Sequence, residues 1–411
     1  MNSVVLKRAH SITRNLITPL PWALALSLFV YLEHFGFTHP ALMTLLAPVA
    51  FYGWLKAPPK EAFFLGFLVG ILWFWWVGMS FRFTDYLWLA PFAVALFAVG
   101  YGLLFYATAW LPLWGRVLAL WIGFDIVEPF GFVWFKPDLL LINSYYGANG
   151  YALLAVIAAA ALWLWLPRKY KAAASAPLIF ALLLPANTMP PPPDLKIKLV
   201  QGELDQAVKW ERSQRFNHAQ NALAEIDRAI KEGHELVVLP EAAFPLFLNR
   251  DRGLLNALKA RSEHIAIIAG GLHLKAGNLP YNSTYFFNQG KHQVADKVYL
   301  VPFGEGNPLP KWAGRWINNI FFEGAEDYRT AEAPTDFEIN GLRFRNAVCY
   351  EGTVEAMFKD APPYMVVLSN NGWFTPSIEP DMQRLLMKLY ARRYGVRIYH
   401  AANQSPSEII F

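Results

Sequence analysis

Three side chains of complementary chemistry stand at the ends of apolar runs in the second half of the chain. Cys349, the only cysteine, follows Ala347-Val348 and precedes Tyr350-Glu351-Gly352. An apolar run that leaves through a polar pair and a glycine reads as a strand ending in a tight turn. Such a turn can project a nucleophile above a sheet. Glu241 follows Val237-Val238-Leu239-Pro240, and Lys297 opens the run Lys297-Val298-Tyr299-Leu300-Val301-Pro302-Phe303-Gly304-Glu305. A thiolate attacks, and a nearby ammonium lowers the pKa of its thiol. A carboxylate can take the thiol proton and later deprotonate a second nucleophile. The ammonium can also stabilise the oxyanion of a carbonyl that becomes tetrahedral. Each residue alone also has a plainer reading: a packed core cysteine, a carboxylate exposed at a strand end, a solvated lysine.

The elements that must hold these residues alternate between strands and helices. Lys196–Gln201, Leu236–Pro240, Ile265–Gly271, Ala347–Cys349, Tyr364–Ser369 and Arg397–Ala402 read as strands, several of them apolar throughout. Tyr281–Asn288 and Gln293–Tyr299 form a hairpin across Gln289-Gly290. Residues 212–231 have helical spacing, with Phe216, Ala219, Leu223, Ile226 and Ile230 on one face. Further helices are expected over 251–262, near 353–358 and over 379–395. This pattern predicts an α/β sheet buried on both faces, with its chemistry at the strand C-terminal ends.

The first half of the chain has a different texture. Of 411 residues, 55% are hydrophobic and only 16% charged, against about 25% charged in an average soluble domain. Nearly all of that apolar excess precedes Met189-Pro190-Pro191-Pro192-Pro193-Asp194, where four consecutive prolines make a short stiff spacer. Seven apolar stretches precede it, at 16–37, 40–55, 62–81, 86–111, 112–127, 148–166 and 174–189. With the N-terminus cytoplasmic, the inner segments carry Lys7, Arg8, Arg14, Lys56, Lys60, Arg116, Arg168, Lys169 and Lys171, and the outer ones only Arg82 and Lys136. Nine against two obeys the positive-inside rule with an odd number of spans, and sends the second half to the outer face. The outer segment 128–147, with Phe130-Gly131-Phe132-Val133-Trp134-Phe135, is placed to lie on the bilayer surface and help admit a lipid. The net charge of +5 is modest and forms no basic stripe, so nucleic acid is not an expected partner.

Pro240-Glu241, Lys297 within Lys-Val-Tyr-Leu-Val-Pro-Phe-Gly-Glu and Cys349-Tyr350-Glu351 resemble the Glu-Lys-Cys triad of the nitrilase superfamily. Together with the membrane half, they resemble the apolipoprotein N-acyltransferase family. Val200-Gln201-Gly202 with Lys209-Trp210, Ser369-Asn370-Asn371-Gly372-Trp373-Phe374 and Ala391-Arg392-Arg393-Tyr394-Gly395-Val396-Arg397 resemble further motifs of that family. The resemblance implies a multi-span bundle over 1–189, a spacer at 190–195 and a nitrilase-like α-β-β-α sandwich over 196–411. It implies Glu241 as general base, Lys297 as oxyanion stabiliser and Cys349 as nucleophile. Glu305, Tyr350, Glu351, Trp210 and Asn371 are implied in support, although Trp210 also fits a hydrophobic anchor near the membrane. The implied reaction moves an acyl chain from a phospholipid to Cys349 as a thioester. From there it passes to the α-amino group of diacylglyceryl-cysteine in an apolipoprotein, with no metal or soluble cofactor. The implied location is the bacterial inner membrane, with the catalytic domain on the periplasmic face.

Three features depart from the family pattern. Asn371 stands where an aspartate is usual, which removes a charge. The stretch Thr375-Pro376-Ser377-Ile378-Glu379-Pro380-Asp381-Met382-Gln383 lacks the usual Gly-Pro and Gln-His. The family pattern also carries further strands and a final span beyond the position of Phe411. Two other classes fit parts of the chain: a membrane-tethered amidase with water as acceptor, and a non-enzymatic transporter or scaffold. The spans lack the paired internal charges of an ion path, Glu33 and Asp125 lying near span ends.

Overall fold

The computed structural model describes residues 17–184, 187–309, 312, 314 and 327–411. Lys7, Arg8 and Arg14 of the charge count, residue 16 of the first apolar stretch and residues 185–186 within the seventh lie outside the described residues. The chain forms two compact units: Met1–Glu128 with Phe135–Ala186 and Pro376–Leu385, and Pro129–Trp134 with Asn187–Thr375 and Leu386–Phe411.

In the first unit each of the seven apolar stretches carries helix. The helices are Leu20–His34, Pro40–Lys56, Pro59–Phe74, Ala90–Thr108, Leu113–Leu118, Gly150–Trp165 and Ala176–Leu183. Prolines begin several of them, where the missing N–H has no intrahelical acceptor to lose. Asn149 caps Gly150–Trp165, its Oδ1 accepting from Tyr151 N at 3.1 Å and Ala152 N at 3.0 Å. Two continuous helical segments reach bilayer length. Pro59–Phe83 has 25 residues and Leu87–Thr108 has 22, each containing an 18-residue stretch of mean hydropathy 2.0. They pack through Gly66 and Gly70: a Cβ there would come within 2.3 Å of Tyr101 O and 2.7 Å of Phe97 O. Only glycine lets the two backbones approach this closely. The outward face of Leu87–Thr108 exposes Phe92, Leu96 and Leu103, an apolar surface that lipid can cover. The two span-end carboxylates are paired within the unit. Glu33 accepts from Thr38, Asn143 and Arg384, and Asp125 meets Lys136 Nζ at 2.8 Å.

The second unit stacks two sheets between helices. One sheet has the order β1-β2-β4-β5-β6, where β1 is Ile197–Leu199, β2 Leu236–Val238, β4 Ala266–Lys275, β5 Leu279–Asn288 and β6 Lys291–Asp296; β3, Phe244–Phe247, pairs with β4 off this path. The other runs β11-β10-β9-β8-β7, with β7 Asp336–Ile339, β8 Leu342–Val348, β9 Tyr364–Asn370, β10 Arg397–Asn403 and β11 Glu408–Ile410. The strands β1, β2 and β4 are mutually parallel, as are β8, β9 and β10. The period of two along each strand divides the core. Leu236, Val238 and Ile268 meet Phe344, Val366, Leu368 and Tyr399 between the sheets. Val237 and Ile267 instead face Leu223, Ile226 and Leu258 of the helices Arg215–Lys231 and Arg252–Arg261. The result is an α-β-β-α sandwich.

Three expectations are corrected. Phe216 does not share the buried face of its helix; it is 71% exposed, and Ala219, Leu223 and Ile226 make that face. The region 353–358 forms short 3-10 turns, Cys349–Thr353 and Glu355–Met357, because Val354 between them is extended (φ −97°, ψ 117°). The strands β3, β7 and β11 were not expected.

Candidate active site

Each expected catalytic side chain follows the C-terminal end of a strand in the sandwich. Glu241 comes after β2, Lys297 after β6 and Cys349 directly after β8. Cys349 has a left-handed backbone (φ 52°), which costs a non-glycine residue about 1–2 kcal/mol. Cys349 is half-buried, while the strand behind it stays packed.

Glu351 fixes that turn. Its Oε2 accepts from Val348 N at 2.7 Å, and its Oε1 from Val298 N at 2.6 Å and Tyr299 N at 3.1 Å. One carboxyl group thus binds the Cys349 turn to the loop that begins at Lys297. Burial pushes the Glu351 carboxyl up to about 7, opposed by Lys297 and by these N–H groups.

Lys297 is fully buried and its Nζ meets Glu305 Oε2 at 2.6 Å. Glu305 Oε2 also accepts from Val301 N at 2.9 Å, so the loop carries its own counter-ion. Burial works against the lysine charge, but Glu305, Glu241, Cys349 and Glu351 together outweigh it and raise its proton affinity above that of an ordinary lysine. Asn282 of β5 joins the two acidic residues: its Nδ2 donates to Glu241 Oε1 and to Glu305 Oε1, both at 2.7 Å. The Asn282 carbonyl accepts from Lys297 N at 2.9 Å. Burial raises the Glu241 carboxyl above its usual range, Lys297 opposing and Glu305 adding to it. A raised carboxyl is suited to collecting a thiol proton near neutral pH.

The Glu241 turn is held from beneath by Gly270. A Cβ on Gly270 would lie 2.4 Å from Ala242 N and 2.7 Å from Glu241 Cα. Ala242 itself is left-handed (φ 47°), as is Phe303 (φ 63°) in the loop between Lys297 and Glu305. All three loops that carry the chemistry therefore contain a left-handed non-glycine residue.

The remaining expected residues stand around this centre. Tyr350 is buried; its hydroxyl donates to Gly131 O at 2.7 Å and accepts from Val133 N at 3.0 Å. Trp134 Nε1 donates to Thr353 Oγ1 at 2.8 Å. The aromatic stretch 129–134 is thereby fastened to the Cys349 turn. Trp210 is half-buried, and its buried Nε1 has no hydrogen-bond partner among the described residues. Asn371, beyond the end of β9, donates to Ser405 Oγ at 3.0 Å, a bond that an ionised aspartate could not donate. Sequence reasoning missed Asn282, and it read Lys209 only as part of a motif. Lys209 is fully buried and its Nζ donates to Glu241 O at 3.0 Å.

A buried glutamate, a buried lysine and a half-buried cysteine at the strand ends of a four-layer sandwich describe a carbon-nitrogen hydrolase, and residues 196–403 match the model of that family. Residues 13–184 match the apolipoprotein N-acyltransferase integral membrane domain. An apolipoprotein N-acyltransferase from Wolinella succinogenes is 42% identical over 391 residues, covering 94% of this chain and 94% of that relative. Proteins of the same name from Helicobacter pylori and Campylobacter jejuni are 37% and 32% identical, over 90% and 85% of this chain and 87% and 79% of their own lengths. The chain belongs to the apolipoprotein N-acyltransferase family, and it is a membrane-bound acyltransferase.

Proposed function

We propose that the protein transfers an acyl chain from a phospholipid to the α-amino group of diacylglyceryl-cysteine at the N-terminus of an apolipoprotein, through a thioester on Cys349. The carrying observation is the half-buried cysteine on a left-handed turn, tied by Glu351 to the loop of a buried lysine. Glu241 accepts the Cys349 proton and the sulfur attacks the phospholipid ester carbonyl. The C–S bond forms, the C–O bond breaks, and the proton on Glu241 passes to the leaving alkoxide of the lysophospholipid. Lys297 faces the developing oxyanion. In the second half-reaction Glu241 takes a proton from the incoming amine, the C–N bond forms, the C–S bond breaks, and the proton returns to sulfur.

The membrane domain supports lipids for both substrates. Each buried CH₂ is worth about 0.8 kcal/mol, so a site that meets acyl chains at the bilayer surface avoids extracting them. In this reading the protein lies in the bacterial inner membrane, with about seven spans over 1–189, a cytoplasmic N-terminus and the catalytic domain of 196–411 on the periplasmic face. The aromatic stretch held by Tyr350 lies beside the nucleophile as the acyl chain's approach. The detergent-purified chain, given phospholipid and a synthetic diacylated lipopeptide, should add one acyl chain to the peptide by mass. Release of free fatty acid with no peptide acylation would favour a hydrolase instead.

A further inference from the structure

Besides Lys297, a second cation is buried against the catalytic groups. Lys209 closes the short helix Gln206–Lys209, which begins at Asp205, whose side chain accepts from Ala207 N at 2.9 Å. Its side chain is fully enclosed, and the acceptor it reaches is the main-chain oxygen of Glu241 at 3.0 Å. A neutral donor would satisfy that carbonyl. A buried ammonium is costly unless an opposite charge faces it.

The catalytic groups supply the opposite charges. Glu241 and Cys349 face Lys209, and their pull opposes the burial that brings the lysine down to about 8. At neutral pH the group therefore remains largely an ammonium. Lys297 faces Glu305, Glu241, Cys349 and Glu351, but its Nζ is bonded to Glu305 at 2.6 Å. One lysine facing three carboxyl groups and a thiol leaves positive charge short, and Lys209 supplies it. Tyr328 also faces Glu305, Glu241 and Lys297. On the helical side lie Asp205 and His218, the latter 3.5 Å from Val208 O.

We propose that Lys209 is a positioning residue of acyl transfer, pinning the Glu241 main chain and holding by its charge the single negative charge that Glu241 and Cys349 share. The inference rests on Cys349 as nucleophile and Glu241 as its base. When the thiol proton moves, the Sγ–H bond breaks, the Glu241 O–H bond forms, and the pair keeps a charge of −1. Lys209 faces both positions of that charge, so it keeps the pair ionised without favouring a return of the proton.

The chain has one cysteine, so alkylation by iodoacetamide, followed by intact mass across pH 5 to 10 in detergent, reports Cys349 alone. Lys209→Met should raise the pH midpoint of alkylation by about one unit or more, lowering the rate at pH 7 by about tenfold. Lys209→Gln keeps a donor for the Glu241 carbonyl but removes the charge, and should shift the midpoint equally. Lys209→Arg should restore the midpoint toward that of the parent. Unchanged midpoints in both the Met and Gln variants would overturn the proposal. A parent enzyme that never acylates the lipopeptide, but whose midpoint still depends on Lys209, would instead overturn the substrate reading and leave the role of Lys209 standing.

Discussion

Left-handed backbone in the catalytic unit occurs after helices, at Gly233 and Gly395, in turns such as Asp360 and Gln404, in three hairpins and in the loops that carry the chemistry; the hairpins and those loops differ in what holds it. The hairpin turns use Gly277-Asn278, Gln289-Gly290 and Asn340-Gly341, mostly exposed residues that, Gln289 apart, are of the types that adopt this conformation at little cost. The loops at the strand C-terminal ends use Ala242, Phe303 and Cys349, which have no such tolerance. There the conformation is imposed by buried polar bonds: Glu351 on three backbone N–H groups, Glu305 on Lys297 and Val301, Asn282 on two carboxyl groups. Strain that the surroundings over-determine marks a functional site; strain absorbed by Asn and Gly marks a turn.

The contrast breaks most visibly at Glu351. Glu351→Ala leaves the N–H groups of Val298, Tyr299 and Val348 without their acceptor. At about 1–3 kcal/mol for each orphaned group, the variant should lose more than about 3 kcal/mol of stability in thermal unfolding, and acyl transfer with it. Lys209→Gln tests the opposite sign. Lys209 loses its proton near pH 8 in the folded chain and near 10.5 when unfolded, so the unfolded chain binds more protons between these values. Stability contributed by this group is present above about 10.5 and lost as pH falls through about 8. A drop from 10.5 to about 8 corresponds to roughly 3 kcal/mol. Lys209→Gln, which keeps a donor for the Glu241 carbonyl, should therefore melt at higher temperature than the parent at pH 7, with a gap that narrows toward pH 10, while its activity falls.

Gly270→Ala forces the Glu241 turn off β4. It should cost about 1–3 kcal/mol and lower kcat by about a hundredfold, since a 1 Å misplacement of a catalytic group has that effect. Asn340→Gly, in the β7–β8 hairpin, should change the melting point and kcat hardly at all, within about 0.5 kcal/mol. An effect at Asn340 as large as that at Gly270 would erase the distinction between the two settings.

The parts of the fold legible in the sequence are those with strong periodicity. The apolar runs of β2, β4, β8, β9 and β10 and the helix Glu379–Tyr394 are visible as alternation or as helical spacing. β3 is broken by Pro245 and pairs irregularly with β4, and β11 is three residues long; neither has room for a pattern. β7 did carry a signal, the Asn340-Gly341 turn leading into β8, which strand composition alone passes over. Phe216 was misplaced because helical spacing gives a face but not where that face ends.

In the candidate site, Glu241 and Cys349 were legible because each follows an apolar run and Lys297 because it opens one; Glu305, Tyr350 and Glu351 came only from the resemblance to a family. Asn282 and Lys209 were not legible. Asn282 acts through partners 41 and 23 residues away in sequence, and Lys209 reaches Glu241 across 32. Only the stacking of strands and loops makes them neighbours.

In the proposed reaction Cys349 carries the acyl group. Intact mass of the full chain after incubation with phospholipid alone, in the absence of lipopeptide, is the decisive measurement. The expected result is a single acyl adduct on Cys349 that hydroxylamine removes, that disappears when lipopeptide is added, and that is absent in Cys349→Ala. Peptide acylation by Cys349→Ala, or turnover of the parent with no adduct on Cys349, would contradict it.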